Sequence, residues 1–151
     1  MEKKEETCYT NRELSWLAFN ERVLNEASNE KVPLAERLTF ASIYQTNLDE
    51  FYMVRVGTLM TQMNSKEKIC ENKTGMSSEK QVAAILKKTR QLEKKKAVIY
   101  EQLMGELEPK GVRIINFNKL SNQEGKFLEE YFDVHIAPFL SPMIIGKQHP
   151  F

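Results

Sequence analysis

The chain of 151 residues has few of the residues that build covalent or metal-held scaffolds. Its two cysteines, Cys8 and Cys70, lie far apart and lack both CxxC spacing and neighbouring histidines. A zinc site is therefore not expected, and a disulfide between them is formally possible but not predicted. The only histidines are His135 and His149, which leaves little material for catalysis by imidazole.

Long apolar runs and a strong charge of one sign are also missing. No apolar run approaches the roughly 20 residues that a membrane-spanning helix needs, and the opening MEKKEE has no signal-peptide core. The 22 basic and 21 acidic side chains nearly cancel, whereas a protein that coats nucleic acid usually shows a basic excess. These absences predict a soluble cytoplasmic protein without a specific nucleic-acid partner.

What is present is a globular composition, 41% hydrophobic and 28% charged, with apolar residues at helical spacing. The segment Thr10–Glu13 has capping-box spacing and predicts a first helix over 11–28. Pro33 suits the first turn of a second helix. Polar residues around Asn47 indicate either a bend in one long helix or a break at which two helices meet. We favour the break, with Asn47 as the cap.

The second half of the chain begins with a polar stretch over 64–78, which predicts a flexible loop. Spacing of three and four then predicts a long helix over 78–108, which a proline and a glycine end. The residues Val112–Ile115 alternate enough for a short strand. A second capping box at Ser121–Glu124 predicts one more helix.

The predicted fold is all-α, an antiparallel bundle of three to four helices over residues 1–108. A short strand and a helix follow in residues 109–151, as the start of an incomplete α+β domain. The proline-punctuated tail ends on the apolar Phe151, and this ending predicts that the chain is truncated.

Signatures of common catalytic sites are absent from the sequence. It contains no GxxxxGK[ST] phosphate loop, no GxGxxG turn, no GxSxG elbow and no HExxH helix. The side chains of Asp49 and Glu50 diverge on a helix, because adjacent helical positions point about 100° apart. His135 and His149 are interpreted as ordinary surface or packing residues. We therefore predict neither a catalytic residue nor a metal site in this chain.

Three segments, taken together, resemble a known family. They are Asn11–Leu24 (NRELSWLAFNERVL), Pro33–Leu38 (PLAERL) and Thr46–Val56 (TNLDEFYMVRV). In this order they look like the opening of polyphosphate kinases, the large ATP:polyphosphate phosphotransferases. The resemblance is strong over residues 9–63 and moderate over 109–151.

The resemblance implies an enzyme of four parts: an amino-terminal helical domain, a head domain and two carboxy-terminal domains. The latter carry the phosphorylated histidine and the Mg²⁺ sites. In such an enzyme the terminal phosphate of ATP passes reversibly to polyphosphate through a phosphohistidine. These groups would lie beyond Phe151, so the chain alone is expected to be inactive. The parent is expected to be homo-oligomeric and cytoplasmic, and the resemblance leaves association with a membrane open.

The resemblance also implies one nucleotide-binding residue. In the family, the asparagine before Leu-Asp-Glu-Phe contacts ATP, and the amino-terminal domain covers one side of the adenine pocket. The matching residue here is Asn47, whose amide offers both a donor and an acceptor to an adenine edge. Trp16, Glu13 and Arg55 belong to the same segments and are predicted to be packing and salt-bridge residues.

Two non-enzymatic alternatives remain at the level of sequence. One is a helical adaptor or regulatory module that binds a protein through an apolar face. The other is a nucleic-acid module that uses the lysine-rich helix over residues 80–96, although a solvated face explains those lysines too. Strongly salt-dependent binding to random DNA would favour the second alternative.

Overall fold

The computed structural model describes residues 9–65 and 70–143, so Cys8 and His149 lie outside the described part. The structure divides into two compact units between Val112 and Arg113. Within the described residues, the only β pairing is an isolated antiparallel bridge between Cys70 and Ser77. The all-α prediction is confirmed.

The first unit contains four α-helices, α1 to α4. A turn of π-helix joins α2 to α3, so these two follow each other without a loop. The bounds are α1 Arg12–Ala27, α2 Leu34–Phe51, the π-turn Tyr52–Val56, α3 Gly57–Met63 and α4 Ser78–Leu107. Both α1 and α4 match their predicted ranges to within one residue at each end.

Side-chain hydrogen bonds fix the directions of these helices. The bonds between α2 and its neighbours join residues in reversed order along the chain: Asn20 with Tyr44, Ala27 with Arg37, Lys96 with Gln45, and Glu106 with Arg37. Helix α2 therefore runs antiparallel to both α1 and α4, as the sequence predicted.

A single apolar core holds the first unit together, and every α-helix of that unit contributes to it. Fully burying a side chain of this kind contributes roughly 1.5–3 kcal/mol each. Phe51 and Leu92 are buried in this core, and Trp16 and Leu38 are partly buried. Other core residues include Leu17, Leu24, Tyr44, Leu48, Ile85, Ile99 and Leu103.

The predicted cap of α1 was one residue wrong, because Asn11 and not Thr10 begins the helix. Asn11 Oδ1 accepts hydrogen bonds from two backbone amides of the first turn, at 3.1 and 3.3 Å. Asparagine caps at least as well as threonine. Asn11 is also buried and donates to Gln81 on α4 at 3.0 Å, a tertiary contact that the local sequence does not show.

The predicted break at Asn47 was also wrong, because α2 continues through it to Phe51. Asn47 is not a cap: its amide bonds to Asn20 on the neighbouring helix instead of competing for its own backbone. The irregularity comes later, at the π-turn, whose extra residue separates the buried Phe51 and Val56 by five positions. The residues at 53–55 are consequently exposed.

In the second unit, helix α5 spans Asn122–His135. Its predicted capping box is confirmed, since Ser121 Oγ accepts from the Glu124 amide and the Glu124 carboxylate accepts from the Ser121 amide. The predicted strand at Val112–Ile115 was wrong. Those residues lie in no strand, because the described part of the chain offers no second strand to pair with.

Candidate functional site

A cavity of about 280 Å³ opens where α1 meets the end of α2 and the π-turn. It combines aromatic side chains with an amide, a carboxylate and a guanidinium group, the mixture typical of a small-molecule site. Its lining residues are Trp16, Phe19, Asn47, Glu50, Phe51, Val54 and Arg55.

Asn47 is the neutral polar residue of this cavity. Its side chain is partly buried, and its Nδ2 donates to Asn20 Oδ1 at 3.1 Å. Asn20 is wholly buried and donates in turn from its own Nδ2 to the backbone oxygen of Tyr44 at 3.0 Å. The Asn47 amide, which the family resemblance assigned to nucleotide binding, thus lies at the cavity and is held by its hydrogen bond to the buried Asn20.

Aromatic rings form the apolar side of the cavity. Trp16 stacks on Phe51 with ring centroids 4.4 Å apart and an angle of 9° between the planes. Phe51 is in turn met edge-on by Tyr52 at 6.1 Å. Phe19 is exposed, and the guanidinium of Arg22 lies 5.7 Å from its centroid. Trp16 and Phe51 thus pack face to face at the same cavity as the Asn47 amide.

Two charged residues of opposite sign complete the lining, Glu50 and Arg55. Arg55 was predicted to be a packing or salt-bridge residue, but within residues 9–65 and 70–143 it forms no ion pair. The π-turn brings Arg55 to the surface one turn after Glu50. The other two predictions are confirmed, since Trp16 packs on Phe51 and Glu13 pairs with Arg12.

Two groups behind the site titrate abnormally. Burial raises the pKa of the Tyr44 hydroxyl far above its usual value, and the nearby carboxylate of Glu93 adds to that shift. Hydrogen bonds from Lys88 and Lys95 lower the pKa of Glu21, although burial opposes them. Tyr44 therefore stays neutral and Glu21 ionised near neutral pH.

The family model described as the polyphosphate kinase N-terminal domain matches residues 9–115. The chain belongs to the polyphosphate kinase family. The match covers α1 to α4, and so includes every residue of the cavity beside Asn47.

Individual polyphosphate kinases agree with this assignment. The chain is 43% identical over 148 residues to the polyphosphate kinase of Halalkalibacterium halodurans, covering 97% of this chain and 21% of that protein. It is 44% identical over 144 residues to that of Bacillus anthracis, covering 95% and 20%. With the Synechocystis protein it shares 39% over 150 residues, covering 98% and 20%. The chain thus spans about a fifth of the length of these relatives.

No solved structure matches the chain with significance. Among the helices that the structure describes, none combines the length and the apolar character needed to cross a membrane.

Asp49 and Glu50 are adjacent on α2 but have different surroundings in this polyphosphate kinase domain. Asp49 is exposed and accepts a hydrogen bond from Gln45, while Glu50 lines the cavity. His135 ends α5, with its ring 4.8 Å from that of Tyr131. Over residues 9–65 and 70–143, no group of three or more His, Cys, Asp or Glu side chains could hold a metal ion.

Sequence reasoning missed two features of the site. Asn20 lies in one of the family segments, but nothing in its helical position shows that its side chain meets Asn47. The π-turn is equally invisible to spacing rules, because Met53 and Val54, which lie between the buried Phe51 and Val56, are apolar as well. A second cavity, of about 550 Å³, shares Val54 and Arg55 with the first and was not anticipated either.

Proposed function

We propose that this chain forms one wall of the adenine pocket of a polyphosphate kinase. The complete enzyme transfers the terminal phosphate of ATP reversibly to polyphosphate through a phosphohistidine. Asn47 is the residue of this chain that contacts the nucleotide. Residues 109–151 begin the head domain, and the phosphohistidine, the Mg²⁺ and the phosphate-binding groups belong to other parts of the enzyme.

The observation that carries the proposal is the position of Asn47 at a cavity with aromatic walls. An adenine ring needs a flat apolar surface and a hydrogen-bonding edge, and the Trp16–Phe51 stack and the Asn47 amide are adjacent here. Arg55 adds a cation without an ion pair in the described part of the chain. Family membership argues against the adaptor and nucleic-acid alternatives.

A wall of this kind binds ATP weakly alone, because most of the ligand stays in water and its phosphates meet few cations. We expect the isolated chain to bind ATP in the millimolar range, on the order of 1 mM, or more weakly. The described residues contain no cluster of ligands for the Mg²⁺ that accompanies ATP, so we assign its ligands to other parts of the enzyme. The complete enzyme is also proposed to be a homo-oligomer.

The test is Asn47→Ala in the complete enzyme. Losing one neutral hydrogen bond, worth about 0.5–1.5 kcal/mol net, raises KM for ATP roughly 2- to 12-fold. The value of kcat changes little, because the contact is far from the transferred phosphate and is made equally in ground and transition states. Steady-state kinetics with varied ATP measures both constants.

Asn25→Ala is the matched control, because it removes the same amide from an exposed position on α1, where Asn25 accepts a hydrogen bond from Lys95. It should leave KM for ATP unchanged. Thermal unfolding of both variants separates a lost contact from a loosened helix. A stably folded Asn47→Ala enzyme with unchanged KM would show that Asn47 does not contact the nucleotide.

A further inference from the structure

Three polar groups form a chain behind the cavity. Tyr44 and Asn47 lie three residues apart on one face of α2, and the side chain of Asn20 on α1 touches both. Asn20 Nδ2 donates to the Tyr44 backbone oxygen at 3.0 Å, and Asn20 Oδ1 accepts from Asn47 Nδ2 at 3.1 Å. The exposed fraction of Asn20 is 0%, so water cannot replace either partner.

The donors and acceptors of these three groups allow only one arrangement. A backbone carbonyl can only accept, so Asn20 must turn its nitrogen to Tyr44 and its oxygen to Asn47. Asn47 must then present its own nitrogen to Asn20. Reversing the Asn47 amide would set its oxygen against Asn20 Oδ1, which is wholly buried and would be left without a donor.

The fixed orientation decides what Asn47 offers to a ligand. Its Oδ1 has no hydrogen-bond partner among residues 9–65 and 70–143, and one N–H remains beside it. We propose that Asn20 is a positioning residue that fixes the Asn47 amide, leaving Oδ1 free to accept from the exocyclic amine of a 6-aminopurine base. The remaining N–H donates to the ring nitrogen next to that amine, because adenine pairs a donor with a neighbouring acceptor.

This inference rests on the proposed nucleotide role of Asn47 and adds base selectivity to it. A freely rotating amide would expose either its oxygen or its nitrogen, and so would accept bases with a carbonyl or an amine at position 6. An amide held by Asn20 favours the amine. Asn20 itself touches no ligand, since it is buried behind Asn47.

The test compares ATP with purine riboside triphosphate, which has hydrogen in place of the 6-amino group. The preference for ATP is the KM for purine riboside triphosphate divided by the KM for ATP, both measured in the complete enzyme. We expect the wild type to prefer ATP by roughly 2- to 12-fold, the value of one neutral hydrogen bond. Asn47→Ala should abolish the preference. Asn20→Ala should at least halve it, with kcat nearly unchanged.

The double variant Asn20→Ala/Asn47→Ala shows whether Asn20 acts through Asn47. If Asn20 acts through Asn47, adding Asn20→Ala to the Asn47→Ala enzyme causes no further change in the preference. The effects of the two substitutions are then not additive. A purely structural role of Asn20 would instead give additive effects. Arg37→Met is the control, because it removes other side-chain hydrogen bonds of α2, the 3.0 Å bond from Arg37 Nε to the Ala27 oxygen on α1 and the pair with Glu106 on α4. It should leave the preference unchanged.

The outcomes separate the two proposals. If Asn47→Ala leaves KM for ATP unchanged, the proposed adenine contact itself is wrong. If Asn47→Ala raises KM but Asn20→Ala keeps the full preference, only the positioning role is overturned. Should Asn20→Ala fail to fold, Asn20→Leu fills nearly the same volume and replaces it. An Asn20→Leu enzyme that also fails to fold assigns Asn20 to the fold alone and overturns the inference.

Discussion

The two units of this chain form helices for different reasons. In the first unit, α4 buries residues along its whole length, from Ser78 to Leu107. In the second unit, α5 has a complete capping box at Ser121 and Glu124, yet none of the described residues there is buried. The first unit is held by tertiary packing and the second by local hydrogen bonds.

The difference teaches where the stability and the function of this chain reside. An isolated helix shorter than about 12–15 residues is marginal in water, and most helical stability comes from packing of an apolar face. Helix α5 has 14 residues and exposes Phe127, Tyr131 and Phe132, so its apolar face is not used within the described residues. The cavity beside Asn47 belongs wholly to the packed unit, where side chains can be held in a defined geometry.

Matched leucine substitutions give the largest effect that separates the units. Leu92 is 1% exposed in the core of the first unit, whereas Leu140 is 56% exposed in the second. In the 151-residue chain, Leu92→Ala should lower the free energy of unfolding by about 2–5 kcal/mol, because it removes buried apolar contacts and leaves a cavity. Leu140→Ala should change it by less than about 0.5 kcal/mol. Urea unfolding followed by circular dichroism measures both.

Comparable losses for Leu92→Ala and Leu140→Ala would contradict the comparison. They would mean that the second unit buries Leu140 in a core of its own in solution. A change in the denaturant slope of either variant would have to be examined first, because it signals a departure from two-state unfolding.

Much of the first unit could be predicted because its signals are local. The spacing of apolar residues in α4 and the proline and glycine after it placed that helix correctly. Gly111 has φ of 84°, the left-handed conformation that glycine adopts without strain. The failures were tertiary: the helix cap is Asn11, which bonds to Gln81, and Val112–Ile115 have no partner strand among the residues that the structure describes.

The candidate site was predictable in part for the same reason. Asn47 was assigned through the resemblance of its segment, and its local polarity was misread as a helix break. Its actual hydrogen bond reaches Asn20, 27 positions away, and no pattern within α2 records that contact. The π-turn likewise depends on how Phe51 and Val56 fit the core, which only the assembled bundle determines.

Removing the serine that caps α4 or α5 should have a smaller effect on stability, and a different one in each unit. Ser77 caps α4 by accepting from the Lys80 amide, and Ser121 caps α5 by accepting from the Glu124 amide. Either serine-to-alanine change should cost its helix about 0.5–2 kcal/mol. Helix α4 stays formed in Ser77→Ala, because its core contacts remain. Helix α5 should lose helicity in Ser121→Ala, because few other contacts support it.

Amide hydrogen exchange, read helix by helix, measures this difference. Protection should fall throughout α5 in Ser121→Ala and only in the first turn of α4 in Ser77→Ala. Equal and local losses at both helices would show that α5 has support beyond its cap. Asn116→Ala is the control, because Asn116 is exposed and caps a short turn of the second unit outside α5. It should leave the protection of α5 unchanged.

Acid gives the smallest effect, and it should act on the two units in different ways. Hydrogen bonds from Lys88 and Lys95 lower the pKa of Glu21 in the first unit. Those from the backbone and side chain of Ser121 lower the pKa of Glu124 in the second. A carboxylate whose pKa is lower in the folded state stabilises that state above its unfolded pKa, about 4.3 for glutamate. This stabilisation is lost as the pH falls through the folded pKa.

The expected result of lowering the pH from about 7 to about 3 is therefore twofold. Protonation of Glu21 weakens the link from α1 to Lys88 and Lys95 on α4, so part of the global stability of the first unit is lost. Protonation of Glu124 opens the capping box, so α5 frays without unfolding the bundle. Glu21→Gln should flatten the pH dependence of global unfolding, and Glu124→Gln only that of α5 exchange. If Glu124→Gln flattened the global curve as much as Glu21→Gln does, the second unit would be part of the same cooperative structure as the bundle. The local account of α5 would then be wrong.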